Sequence, residues 1–234
     1  MNYALIFAGG VGSRMGSNIP KQFLEINNKP IIVHTIERFN DTSYIDAIVV
    51  VTLKEYINTV KSFVNYFNLT KVISIIEGGN TAFESQFKGI SYLSSISKCD
   101  KDIVIVHDGV RPFINSSLIF ECIKKTKENG NAVVVSPASE TIAIVDNNSQ
   151  ITHTIPRQEC LIARAPQCFF LKDLIQAHQK AKAEGKQYID SASMFLDQGV
   201  VLNPIEGPIK NIKITTQYDY LLAKLLVEDK NEKD

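Results

Sequence analysis

The chain has 234 residues, 44% of them hydrophobic, and 25 Lys plus Arg balance 25 Asp plus Glu to a formal net charge of zero. That length and apolar content suit a single large domain. The neutral balance excludes a bulk electrostatic partner such as duplex DNA or an anionic membrane, while leaving room for a local basic pocket. The cysteines, Cys99, Cys122, Cys160 and Cys168, form no C-x-x-C pair. They read as scattered reduced thiols, most of them packing residues. No basic n-region precedes an apolar stretch, and no run reaches the ~18 apolar residues of a membrane helix. The expectation is a soluble cytoplasmic protein.

Tyr3–Ala8 is an apolar run closed by Gly9 and Gly10, a buried strand feeding a loop. Pro30–Phe39 has helical spacing, with Pro30 suited to the first helical position. Ala47–Leu53 reads as a strand, Glu55–Phe67 as a helix, and Val72–Ile76 as a strand ended by Gly78 and Gly79. Ala82–Ile96 is a predicted helix, Asp102–Val106 a strand, Ser116–Glu128 a helix stopped by Gly130, and Ala132–Val135 a strand. The strands are continuously apolar and alternate with helices, which predicts an α/β fold with a doubly wound, mostly parallel sheet covered on both faces. Ligands of such sheets bind beyond the carboxyl ends of the strands. Gly9–Lys21, Gly78–Ser85 and His107–Pro112 all follow strands.

From Pro137 to Cys168 the pattern changes to short strand-like pieces: Glu140–Val145, Gln150–Thr154 and Leu161–Ala163, with an Asp-Asn-Asn-Ser turn after the first. This predicts a protruding β-hairpin arm, either exchanged with another subunit or lying as a surface flap. Leu171–Glu184 and Ile189–Leu196 return to helix, Val200–Ile205 and Asn211–Thr215 read as late strands, and Tyr218–Val227 is a closing helix. Residues 228–234 read as a charged, frayed tail. The chain is read as one domain, 1–234, with the arm at 137–168.

Residues 6–22, IFAGGVGSRMGSNIPKQ, carry the chemistry. A Walker A loop needs a lysine directly after its last glycine, and none follows Gly16. A dinucleotide fingerprint fits Gly10 and Gly12 but meets Met15 at its third position, and the next strand ends in Lys54 instead of an acid. Nicotinamide binding is therefore not expected. Glycines let backbone N–H groups approach a nucleotide closely. Arg14 can fork two phosphate oxygens and Lys21 supplies a point charge.

In order along the chain stand AGGVGSRMG, PKQF, GG with Glu84-Ser85, HDGVRPF, P-x-x-ET, APQ and NIKITT. This series resembles the cytidylyltransferase family of 2-C-methyl-D-erythritol 4-phosphate cytidylyltransferase and ribitol-5-phosphate cytidylyltransferase, from about Tyr3 to about Leu226. The resemblance implies a Rossmann-like α/β/α nucleotidyltransferase that condenses CTP with a polyol phosphate, releasing pyrophosphate. It implies that Ala8, Gly9, Gly10, Gly12, Gly79 and Ser85 bind the nucleotide, and that Arg14, Lys21 and Lys213 are the catalytic cations. Asp108 is implied near Mg²⁺ and the polyol, Arg111 beside the substrate pocket, and Thr141 at the base of the arm. Arg157 is implied to reach across a homodimer interface to bind the incoming phosphate at the partner's site. His107 is read as structural. Mg²⁺ is expected to arrive on the CTP phosphates, since no spaced ligand set appears in the sequence. The chemistry is consistent with these residues: a phosphate monoester dianion is already a nucleophile, its second pKa being about 6.

Departures cluster around the acceptor. Asn80 and Glu84 replace acids usual in the family, the customary Thr-Pro-Gln is Ala165-Pro166-Gln167, and a Thr-Asp pair is reduced to Asp190. Gly109 stands where a bulkier residue is common and is read as loosening its loop. These departures favour ribitol 5-phosphate, and supply of CDP-ribitol for a surface polymer, over methylerythritol phosphate and isoprenoid synthesis. A non-catalytic nucleotide-binding paralogue is the alternative of a different class.

Overall fold

The structure, a computed structural model, describes residues 1–10 and 19–231. At its centre is a seven-stranded sheet. The strands of the chain are β1 (Asn2–Ala8), the short pair β2 (Glu25–Ile26) and β3 (Lys29–Pro30), β4 (Ala47–Thr52), β5 (Val72–Glu77), β6 (Ile103–Asp108) and β7 (Asn131–Pro137). They continue with β8 (Ile142–Val145), β9 (Ile151–Ile155), β10 (Leu161–Phe170) and β11 (Pro204–Glu206). The helices are α1 (Ile31–Asn40), α2 (Ile57–Tyr66), α3 (Ala82–Ile96), α4 (Ser116–Asn129), α5 (Leu171–Ala183), α6 (Ser191–Asp197) and α7 (Gln217–Asn231).

The main sheet runs β11-β7-β10-β6-β1-β4-β5. Its neighbours pair in parallel except at β10, which is antiparallel to both β6 and β7. Strand side chains alternate between faces, and the core divides accordingly. Ala4, Ile6 and Ala8 of β1 pack with Ile48, Val50, Ile103 and Ile105 beneath α1, α2 and α4. Tyr3 and Leu5 pack with Val49, Val51, Val104 and Phe169 beneath α3, α5 and α6. Both faces are dry, which explains why the strands read as unbroken apolar runs.

The chain leaves β1 towards β4 and β5, then returns on β1's other side as β6. Loops diverge at such a reversal and open a crevice at the carboxyl edge. Register aligns that edge: Ala8 stands opposite Thr52, and Phe7 opposite Asp108.

Several sequence expectations are corrected. The arm is narrower than 137–168: the hairpin is β8 with β9, and Leu161–Phe170 is one long strand in the middle of the main sheet. Its sequence looks broken because Arg164, Ala165 and Pro166 stand opposite Val134 alone, a bulge that interrupts the alternation. The Asn211–Thr215 stretch forms no strand. Its backbone is instead fixed by Ile214, whose N–H donates to Val110 O at 2.9 Å and whose side chain is fully buried with Ile26, Ile31, Val110, Phe113 and Ala223. The late strand is confined to Pro204–Glu206. Pro30 is the N-cap of α1, in extended conformation and paired in β3, rather than its first helical residue. Helix 55–67 begins as a 3-10 turn at Lys54–Tyr56. The closing helix continues to Asn231, past Val227. No helix among the described residues is long and apolar enough to cross a membrane.

Candidate active site

The strand ends bring a polar cluster to the carboxyl edge. Asp108 is the last residue of β6. Its Oδ2 accepts from Arg111 Nε at 2.8 Å, and its Oδ1 lies 2.8 Å from Lys213 Nζ. Burial alone would raise the Asp108 carboxyl, but Lys213 and Arg111 outweigh it and hold it at about 2. The group is therefore a carboxylate at any physiological pH. Arg111 also donates from Nη1 to Asn211 O at 3.1 Å and is nearly buried. Lys213 is 42% exposed, so its ammonium can exchange Asp108 for an incoming anion.

His107 is fully enclosed, with Nε2 3.1 Å from Arg111 O and its ring 5.0 Å from that of Phe39. Burial pushes it down to about 4, so the imidazole is neutral. It organises the turn, in agreement with its structural reading. Gly109 does not loosen that turn. Its N–H donates to Phe7 O at 2.8 Å and its carbonyl accepts from Thr35 Oγ1 at 3.0 Å. A Cβ there would come within 2.9 Å of Phe7 O, so this glycine permits a close approach to β1.

Ala8 ends β1, and its carbonyl accepts from Gln22 Nε2 at 2.8 Å and Thr52 Oγ1 at 3.2 Å. Gln22 belongs to a 3-10 turn, Lys21–Phe23, so this bond ties Lys21 to the end of β1. A Cβ on Gly10 would lie 3.7 Å from Lys21 Cε, whereas among the described residues nothing comes within 4 Å of one on Gly9. Gly12 and Arg14 lie outside the described residues.

Gly79 and Ser85 meet at the next strand end. Gly79 N–H donates to Ser85 Oγ at 3.0 Å, and Asn80 N–H to Glu84 Oε2 at 2.8 Å. Thr81 caps α3 by accepting from Glu84 N–H. A Cβ on Gly79 would sit 2.3 Å from Glu84 Cβ, so the turn demands glycine.

Asp108, Arg111 and Lys213 line a cleft of about 200 Å³. Thr141 and Arg157 do not join them within one chain. Both are exposed on the arm, and the Arg157 Nη1 bond to Ser139 O is long, at 3.5 Å. The cleft also holds residues to which the sequence reading gave no role: Arg164, Gln167 and Gln86. Gln167 Oε1 accepts from Ala192 N–H at 3.0 Å and Gln86 Oε1 from Ser191 Oγ at 3.2 Å, so together they seat α6 against the cleft. Asp190 lines the cleft and caps α6 through Ser193 N–H at 2.8 Å. Gln86 falls on the buried helical spacing of Phe83, Ile90 and Leu93, and Gln167 precedes the buried Cys168 and Phe169. A polar residue at a core position was the available signal.

Among the described residues there is no group of three or more His, Cys, Asp or Glu placed to hold a metal ion. Both Asp108 oxygens are already engaged.

The sheet order and the cationic edge are those of a nucleotide-handling α/β enzyme. Residues 3–229 match the family model "IspD: 2-C-methyl-D-erythritol 4-phosphate cytidylyltransferase". The ribitol-5-phosphate cytidylyltransferase of Streptococcus agalactiae serotype III is 43% identical over 97% of this chain and 96% of its own length. The 2-C-methyl-D-erythritol 4-phosphate cytidylyltransferase of Petrotoga mobilis is 36% identical over 97% and 99%. Among solved structures, the Francisella tularensis 2-C-methyl-D-erythritol 4-phosphate cytidylyltransferase superposes with a TM-score of 0.79 at 29% identity, covering 96% of this chain and 98% of its own. The chain belongs to the IspD cytidylyltransferase family and is a nucleotidyltransferase.

Proposed function

We propose that this enzyme transfers the cytidylyl group of CTP to D-ribitol 5-phosphate, giving CDP-ribitol and pyrophosphate. The observation that carries this reading is the rank of the relatives. Those named ribitol-5-phosphate cytidylyltransferase are 39–43% identical to the chain, and those named for methylerythritol phosphate reach 36%. A phosphate oxygen of the acceptor attacks the α-phosphorus, and the bond from that phosphorus to the bridging β-oxygen breaks. The acceptor dianion needs no general base, so catalysis rests on alignment and charge neutralisation.

In this reading Ala8, Gly9, Gly10 and Gly12 line the nucleotide with Gly79 and Ser85. Arg14 and Lys21 hold the triphosphate, and Lys213 meets the reacting phosphates after leaving Asp108. Asp108 keeps Arg111 and Lys213 in place and faces the polyol hydroxyls. Magnesium belongs to the substrate as Mg-CTP, carried by phosphate oxygens. Thr141 and Arg157 serve the partner's site in a homodimer assembled through the arm. Their absence from the lining of their own chain's cleft and the exposed Val145, Ile151, Leu161 and Ile162 support that arrangement.

The test is pyrophosphate release from CTP and Mg²⁺ with a panel of polyol phosphates. Turnover with ribitol 5-phosphate is expected; turnover with methylerythritol phosphate alone overturns the assignment.

A further inference from the structure

Arg164 sits in the bulge of β10, where Arg164, Ala165 and Pro166 face only Val134 on the neighbouring strand. Bulges of this kind re-aim a side chain. Here the guanidinium lines the same cleft as Asp108, Arg111 and Lys213. It is held from behind: Nε donates to Ser136 Oγ at 2.7 Å and Nη1 to Asn211 O at 3.3 Å. Asn211 O accepts from Arg111 Nη1 as well, so one backbone carbonyl gathers both guanidinium groups. Asn211 is itself fully buried and fixed, its Nδ2 donating to Ala165 O at 2.8 Å.

The charges in the cleft do not balance locally. Arg111 and Lys213 share Asp108. Asp190 directs Oδ1 to the first turn of α6. Among the described residues no carboxylate lies within ion-pair distance of Arg164. Burial and the neighbouring Arg111 both lower its pKa, the signature of a cation short of a counter-charge. With Nε and Nη1 anchored, Nη2 remains for a ligand. A guanidinium so placed matches a tetrahedral dianion.

We propose that Arg164 binds the phosphate of the acceptor substrate and so sets affinity for the polyol phosphate independently of CTP. The proposal rests on the reading of this site as a CTP:polyol-phosphate cytidylyltransferase. The wild-type panel tests that reading first, and Arg164 is then assayed with whichever acceptor the wild-type enzyme uses. Arg164→Gln keeps a donor towards Ser136 and Asn211 and removes the charge. It is expected to raise the acceptor KM by roughly 10- to 100-fold. The KM for CTP stays within about twofold, and competitive inhibition by inorganic phosphate against the acceptor weakens in parallel. Arg164→Lys, which keeps the charge without the fork, should fall between the two and serves if the glutamine variant folds poorly. An unchanged acceptor KM in either folded variant, or a CTP KM that rises in step with it, overturns the proposal.

Discussion

Lys213 Nζ lies 2.8 Å from Asp108 Oδ1, tying a cation on the loop before the last helix to a carboxylate at the end of β6. Nothing in the local sequence of either residue requires the other. The contact exists because Ile214 is driven into the small cluster with Val110 and Phe113, which leaves Lys213 on the opposite side, over the cleft.

That pair makes acid stability a readout of the site. Asp108 has its folded pKa lowered to about 2, below the unfolded value near 3.9. A depressed carboxylate stabilises the fold above its unfolded pKa, and that contribution disappears as pH falls through the folded value. Wild-type protein should therefore lose about 2 kcal/mol from this group between about pH 4 and pH 2. Asp108→Asn should lack that increment, measured as a flatter pH dependence of urea unfolding across the window.

Lys213→Met should reduce kcat by about 10²- to 10³-fold, the usual effect of removing one preorganised charge from a transition state. The melting temperature at neutral pH should fall by a few degrees as well, because Lys213 leads the two cations that hold Asp108 ionised. A kcat within threefold of wild type would remove Lys213 from the reacting phosphates.

Gln22→Ala tests how the first loop is anchored. Gln22 is almost fully buried and donates to Ala8 O, which among the described residues would keep the longer side-chain bond from Thr52. A loss of about 1–2 kcal/mol is expected from chemical denaturation. The KM for CTP should rise with it, since Lys21 is carried on the same turn; a KM that does not move would separate the anchor from the nucleotide.

Gly89→Ala is the control for packing. Gly89 lies where α3 crosses the sheet, and a Cβ would meet Leu5 Cδ1 at 2.7 Å. Overpacking there should lower stability by about 1–3 kcal/mol. Calorimetry should show the lower melting temperature, and the folded fraction should keep wild-type kinetic constants.

Much of this was legible in the sequence where one local rule acted alone. Tyr3–Ala8 and Ala47–Thr52 are buried on both faces, so composition sufficed. Ser116–Asn129 is bracketed by the Asn115 cap and by Gly130 at φ 90°, so its ends were readable too. Asp108, Arg111 and Lys213 were identified by motif and meet in space. Arg164 was missed because a bulge, not a periodic pattern, brings it to the cleft. The Asn211–Thr215 stretch misled because alternating burial in an irregular loop imitates a strand; only the long-range contact of Ile214 with Val110 distinguishes them. Pro30 satisfied the preference for a first helical position, yet pairing with Glu25 kept it extended.

The reversed course of β10 has a mechanical consequence. Its Gln167–Phe170 half is wedged between β6 and β7, whereas its Leu161–Ala163 half runs on along β7 alone, past the carboxyl end of β6. One strand, bent at its bulge, thus joins the segment after the arm to the lining of the cleft. Extra residues spliced in at the Asp146–Ser149 tip would lengthen a lever without disturbing its fulcrum. A single residue spliced in after Gln167 would swap Cys168 and Phe169 between the two core faces and unseat both.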